Sequence, residues 1–406
     1  MSKVWQQLAI AANWPVLAAM AVLSSLGVVS IWVDAKYHVL SQQDGVKQLI
    51  YLAVALCCMF AFQAVNYLLI GRWAWPFYVF SLLLVAYTVA GSKVSLPFVS
   101  YHKGVYAWIS IGPISLEPSE LTKIAFILVL AKYLRYKSNY RTVVGLLPPF
   151  ALALVPVVLI LKQPDLGVAA LFMPTLLAML FVAGAKVKHM VLVLVLGLLF
   201  VPLFWFSGHR YSDSLEKVRD PASEVPVLRY FPSLMKEYQR SRVKAIFSHS
   251  PSDAALNYQQ DHAVMAFGTG GLSGKGIGQI TVGQYVPEAH NDMIFALIGE
   301  QFGFFGSAAV LGAYLVLFAA GIEIASATKE PTGRLIAVGV VAMLAVQAAI
   351  NVMVCLRLMP VTGVTLPFVS YGGSSLMASY MAAGLLLNVG QNRPLMIGKD
   401  AFQFDS

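Results

Sequence analysis

The chain has 406 residues, of which 58% are hydrophobic and only 12% charged, with a formal net charge of +9. Soluble domains carry about 25% charged residues, so the deficit excludes a water-facing globule and points to a polytopic membrane protein. The basic balance reads as membrane topology with some attraction to anionic lipid, and no nucleic acid is expected as a partner.

Apolar runs of roughly 20 residues, the length that crosses a bilayer, recur at 14–33, 48–70, 73–91, 118–136, 143–161, 166–185, 189–207, 303–324, 334–356 and 375–392. The expected fold is therefore an all-α polytopic membrane protein of about ten transmembrane helices, read as one transmembrane domain over 1–406. Its opening stretch MSKVWQQ is polar, and the first apolar run is long enough to stay as an anchor. Lys and Arg favour the loops that hold Arg72, Lys132, Arg135, Lys137, Arg141, Lys186, Lys188, Lys329 and Arg334. That excess predicts cytoplasmic termini, with Arg393 and Lys399 in the inside tail.

The hexapeptide LPFVSY occurs twice, at 96–101 and 366–371. Its flanks do not align further, so no duplicated half of the inverted-repeat kind is expected. At EPSELTK, Glu120 and Lys123 lie one turn apart on one face where the fourth span begins. They are either a structural pair at the membrane edge or part of a polar groove. QPDLG puts Asp165 at the start of the sixth span, as a helix cap or as a substrate contact.

Residues 208–290 break the hydrophobic pattern and form a long external loop. Pro232–Ser248 has apolar residues at helical spacing with a basic opposite face, the pattern of an amphipathic helix at headgroup level. A second helix is expected over 255–267, before FGTGGLSGKGIGQ. That run fails as a phosphate loop, because Thr269 and Gly276 occupy the positions of its required Gly and Ser or Thr. It reads instead as a hinge, from which Lys275 and backbone N–H groups can hold a pyrophosphate.

The densest polar cluster is VPEAHNDMIFALIGEQFG, with Glu288, His290 and Asp292 before an apolar stretch and Glu300 within it. A partly buried Asp beside a Glu and a His suits general-base work. Capping by Asn291 or Asp292 is the plainer alternative. Gln347 and Asn351, four residues apart, are placed to brace MPVTGVTLPFVSYGGSS, whose Pro and Gly residues prevent helix between the last two spans. Its hydroxyls, including Ser370 and Ser374, are expected to face a polar substrate. Cys57, Cys58 and Cys355 lie in or beside spans and read as packing residues.

PSELTK, QPDLG, AFGTGGLSGKG, PEAHNDMIFALIGE and PVTGVTLPFVSYGGSS stand in an order and spacing that resembles the SEDS family, the RodA and FtsW proteins of the bacterial wall. PVTG before LPFVSYGGSS, and EYQRSRVKAIF in the long loop, look more like the RodA branch. The resemblance implies a ten-helix peptidoglycan glycosyltransferase of the cytoplasmic (inner) membrane, working on its outer face in wall elongation and cell shape. Its implied substrates are lipid II and the growing glycan on its polyprenyl diphosphate. A class B penicillin-binding protein is the implied partner, among other membrane proteins of the elongation complex. The family's essential acid maps onto Asp292, and its Glu–Lys pair onto Glu120 and Lys123.

With Glu120 and Lys123, the residues Asp165, Arg242, Lys275, Glu288, His290, Ser370 and Ser374 are the candidate substrate contacts. Arg242 and Lys275 are candidate partners of the leaving diphosphate; no cofactor is implied, although a divalent cation is an alternative carrier of that charge. The chain departs from the family pattern at several positions. Ala107 stands where Arg is usual, His262 and Ala263 replace Gln and Ser, Asn291 and Met293 replace Thr and Phe, and Arg357 replaces Gly. Arg357 or Lys103 is then expected to restore the lost positive charge. The rival function is a lipid II flippase or transporter, and a scaffold for wall synthesis is a third.

Overall fold

The computed structural model describes residues 13–37, 43–92, 94–102, 105–112, 114–136, 139–193, 195, 197 and 254–392. The expected amphipathic helix at 232–248, Arg242, Lys103 and most of the expected span 189–207 lie outside the described residues.

Eleven helices are used below: α1 (Trp14–Tyr37), α2 (Asp44–Ala64), α3 (Tyr67–Arg72), α4 (Ala74–Gly91), α5 (Pro118–Tyr136), α6 (Leu147–Lys162), α7 (Leu166–Ala183), α8 (Ala254–Gly270), α9 (Ile294–Ala327), α10 (Pro331–Cys355) and α11 (Gly373–Gln391). Among the described residues seven helices are long and apolar enough to cross a membrane. Two more expected spans appear as α5 and α11, each 19 residues long but richer in polar side chains. Exposed Val79, Phe80 and Leu83 on α4, and Phe305, Leu315 and Ile322 on α9, give the bundle a greasy outer surface. Such a surface suits lipid.

Three details depart from the expected spans, each for a local reason. The run expected at 48–70 is broken: α2 ends at Ala64 and α3 starts at Tyr67, with Asn66 capping Leu68 N–H at 2.9 Å. The interrupted backbone is satisfied from α11. Asn388 Nδ2 donates to Phe62 O at 2.7 Å, and its Oδ1 accepts from Tyr67 N–H at 3.0 Å. Buried, broken backbone at membrane depth requires such partners.

The eighth span, expected at 303–324, instead begins at Ile294 and is broken at Gly303, whose φ of 65° and ψ of −156° are not helical. A Cβ there would lie 2.3 Å from Gly274 N, so the glycine-rich turn after α8 packs directly on the break. Lys275 N–H donates to Glu300 O, and Gly276 N–H to Gln301 O, both at 3.0 Å. The run read as a hinge is therefore a backbone-to-backbone seam. The helix expected at 255–267 is α8.

The third departure is a small antiparallel sheet in an otherwise helical fold: β1 (Val99–His102), β2 (Val105–Ile111) and β3 (Ile114–Leu116), in that order. Its first strand begins within the first LPFVSY, at Val99. In both copies the N–H of Val donates back to the Leu carbonyl, and the Phe adopts φ of 65°. Pro then Phe take the two central places of a turn whose second place favours glycine. The six residues thus encode one strained turn twice, which then feeds a strand in one case and α11 in the other. No larger repeat follows.

Candidate functional site

Residues 287–293 turn into α9 without regular structure, and three neighbouring elements fix them. Glu288 sits at φ of 53°, and its carboxylate accepts from Asn291 Nδ2 at 2.6 Å. Asn351 of α10 donates to the backbone carbonyl of Asp292 at 2.8 Å and to Val364 O at 2.7 Å. From α8, Gln259 Nε2 donates to Asp292 Oδ1 at 3.1 Å and to Pro287 O at 2.9 Å. Asp292 is half-buried. The N-cap of α9 is Met293, which makes no side-chain cap. A half-buried carboxylate steered by an amide side chain, on a backbone clamped from behind, is a preorganised acceptor.

His290 faces the other way. Its Nδ1 lies 2.8 Å from Oδ2 of Asp34, buried at the end of α1, and its Nε2 lies 3.7 Å from Glu288 Oε2. Tyr371 presents its ring to the imidazole edge-on at 5.3 Å, and its N–H donates to His290 O at 2.9 Å. The Tyr371 hydroxyl donates to Asp44 Oδ1 at 3.1 Å, in the first turn of α2. Burial, helped by the negative charge of Asp44, pushes that phenol far above its ordinary value, so it remains a donor. Asp34 and Asp44 were missed among the candidates. Asp34 stands one residue beyond the first expected span, where the rule that flagged Glu120 and Asp165 applies equally.

A second charged group lies at the starts of α5 and α7. Lys123 Nζ is 2.9 Å from Glu120 Oε2, both side chains 5% exposed, and donates to Gln347 Oε1 at 3.0 Å. Gln347 Nε2 in turn donates to Thr365 O at 3.1 Å. Asp165 caps α7 by accepting from Val168 N–H at 2.9 Å. Burial first, opposed by that cap and reinforced by Glu120, brings its carboxyl up to about 6. Glu117, unremarked in the sequence, completes the group. Burial and then the charges of Glu120 and Asp165 push it up to about 8. Like charges held together in this way favour a protonated member.

The loop 360–372 joins the two groups: Thr365 to Gln347 and Lys123, Val364 to Asn351 and so to Asp292, Tyr371 to His290. Ser370 in this loop and Ser374 in the first turn of α11 are both engaged by backbone. Ser370 Oγ accepts from Leu366 N–H at 2.7 Å, while Ser374 Oγ accepts from Glu117 N–H at 3.0 Å and donates to Ser115 O at 3.1 Å.

Lys275 lies apart, with Nζ 2.7 Å from Glu300 Oε1. Arg357, at φ of 59°, pairs with Asp261 of α8. A positive φ accounts for glycine as the usual residue there. Ala107, at the position of the usual Arg, is buried in β2. Among the described residues no three His, Cys, Asp or Glu side chains converge as metal ligands.

At the far end of the spans basic residues predominate, and some of them are paired. Arg135 pairs with Glu330 at 2.8 Å, Glu330 caps α10, and Lys132 donates to Arg72 O at 3.1 Å. Apolar helices with a polar, acid-rich mouth at one end define a multi-pass membrane protein with a site for a hydrophilic group. The chain belongs to the FtsW/RodA/SpoVE family of cell cycle proteins, whose family model matches residues 7–394. It is 31% identical over 401 residues to a probable peptidoglycan glycosyltransferase FtsW of Trichlorobacter lovleyi, 95% of each chain. The stage V sporulation protein E of Bacillus subtilis is 33% identical over 364 residues, 89% of this chain and 90% of that one. Among solved structures it is similar to a chain of a peptidoglycan synthase complex described as coordinating polymerization and crosslinking. That likeness has a TM-score of 0.74 and 29% identity over 94% of this chain and 98% of the other.

Proposed function

We propose that the chain is a peptidoglycan glycosyltransferase that polymerises lipid II into β-1,4 glycan, with Asp292 as general base. The observation that carries this reading is the loop 360–372, which ties the Asp292 turn and the Glu120–Lys123 pair to one mouth. Asp292 takes the proton of the acceptor sugar 4-hydroxyl while that oxygen attacks the anomeric carbon of the donor. The bond to the diphosphate breaks, the diphosphate leaves with the electron pair, and the α-linkage inverts to β. The logic is that of an inverting glycosidase with a sugar hydroxyl in place of water. Gln259 and Asn351 supply positioning, which is a large part of such catalysis.

Lys123, tethered to Glu120 and Gln347, lines the acceptor side of the mouth. Arg242 is the candidate left for the leaving diphosphate, because Lys275 is committed to Glu300. The basic far end supports a cytoplasmic placement, so the mouth opens on the outer face of the bacterial inner membrane. A class B penicillin-binding protein is the partner proposed for crosslinking the product, in wall elongation as the RodA-like motifs suggest. A flippase reading has less support. The buried Asn388 amide, away from the mouth, is consumed by the break between α2 and α3.

The test is polymerisation of labelled lipid II by purified protein with its transpeptidase, comparing wild type with Asp292→Asn. Long glycan from wild type and none from a folded, partner-binding variant is expected. Equal product from both removes Asp292 from the mechanism. No product from either, with lipid II translocation in vesicles, returns the flippase.

A further inference from the structure

Between α1, α2 and α11 lies an apolar groove of about 440 Å³ that the chemistry above does not use. That volume falls within the roughly 300–1,000 Å³ of ligand pockets. Leu17, Met20 and Val28 of α1 face Leu49, Leu52 and Leu56 of α2 across it, and Tyr380 of α11 forms part of its wall. From Leu17 to Val29 the wall runs about 18 Å along the helix. The shape is long and narrow.

The few polar atoms in its lining are spent within the protein. Ser24 Oγ shares a hydrogen bond of 2.7 Å with Tyr380 and donates to Phe368 O at 3.1 Å, and Ser25 Oγ donates to Val22 O at 2.9 Å. What remains is hydrocarbon surface with no hydrogen bond to offer, suited to hydrocarbon. Ala21, Ser25 and Leu49 at its lip are exposed, on two helices able to span a membrane, so the groove is open sideways to lipid.

Its two ends differ. Five residues beyond each end of the groove's lining, α1 reaches Asp34 with His290 and α2 reaches Asp44 with Tyr371, both pairs at the mouth. Gln48, beside Leu49, donates to Ser370 O at 3.2 Å. Gly27 lies flat under the same loop, where a Cβ would meet Val369 O at 2.3 Å. An amphiphile with its tail in the groove therefore has its head at the polar mouth.

We propose that this groove seats the isoprenoid tail of one lipid-linked sugar substrate and sets the register of its sugar at the mouth. The inference rests on the glycosyltransferase reading and deepens it. The experiment has two arms. In the first, the wild-type protein is irradiated with lipid-linked disaccharide carrying a diazirine on its isoprenoid tail, and adducts are mapped by mass spectrometry. Adducts on Leu49, Leu52, Leu56 or Val28 are expected. Adducts only elsewhere overturn the proposal, as do adducts there from a diazirine phospholipid that excess isoprenoid substrate does not displace.

In the second arm, Ala21→Trp and Ser25→Phe fill the lip. KM for the long-tailed substrate is expected to rise about tenfold, the effect of unseating roughly two buried methylenes. KM for a short-tailed soluble analogue and kcat for both stay at wild-type values. An equal change for both tails overturns the proposal. If the wild type makes no glycan, the reading of its activity fails, while the crosslinks still decide the groove.

Discussion

Glu300 and Asp292 lie eight residues apart in one motif, and the protein treats their charges in opposite ways. Glu300 is fully buried and saturated: Thr281, Val282 and Gly283 donate their N–H groups at 2.8, 2.9 and 2.7 Å, and Lys275 adds an ion pair at 2.7 Å. Its role is to bolt the glycine-rich turn to the broken helix α9. Asp292 is half-buried, steered through one oxygen by Gln259, with its backbone gripped by Asn351. One carboxylate has been used up by the fold, and the other is aimed. A charge whose valences the fold has filled is architecture, whereas a held but accessible one is available for chemistry.

Substitutions at the two positions should therefore fail differently. Asp292→Asn is expected to cut glycan synthesis by on the order of 10²–10⁴, the usual worth of a general base, with thermal unfolding unchanged. Matched loss of both would make Asp292 architectural too. Glu300→Gln should cost about 2 kcal/mol of stability, because an amide with a single acceptor oxygen replaces a buried carboxylate that takes three backbone N–H bonds. The activity of the surviving folded fraction should stay near wild type, read by scanning calorimetry beside the polymerisation assay.

The contrast also marks what the sequence could reveal. The spans were legible because a bilayer imposes a length and a composition, and Asp292, Glu120 and Lys123 because ionisable residues at a span edge are rare and costly. Which charge is saturated was not legible. The glycine-rich run around Lys275 suggests a diphosphate ligand, and its ion pair with Glu300, 25 residues on, is invisible to that reading. Asp34 was legible by the same span-edge rule, but its pairing with His290, 256 residues away, was not. The break at Gly303 and the sheet that begins in the first LPFVSY were also hidden. The break depends on backbone packing against the turn at Leu272 and Gly274, and the sheet on strands of three to seven residues, too short to show a period.

Lys275 sharpens the comparison on a smaller scale. Lys275→Met leaves Glu300 its three backbone donors, so a loss of roughly 1–2 kcal/mol is expected, discounted because the lysine is 22% exposed. KM for lipid II should not move. A KM rise with stability intact would make Lys275 a diphosphate ligand after all.

Glu117 belongs to neither extreme. Ser119 donates to its carboxylate at 2.7 Å, yet burial and its acidic neighbours push it from 4.5 up to about 8. A carboxyl raised in the folded state keeps a proton that the unfolded chain has already released. Stability is then greatest below the unfolded value and is lost as pH climbs through the folded one. Glu117→Gln removes the titration while keeping the shape. The melting temperature of wild type, measured relative to this variant, should fall steadily between about pH 5 and 8. A difference that stays flat over that range would mean that Glu117 is ionised at no cost, and that the acidic mouth is solvated in the way a surface is.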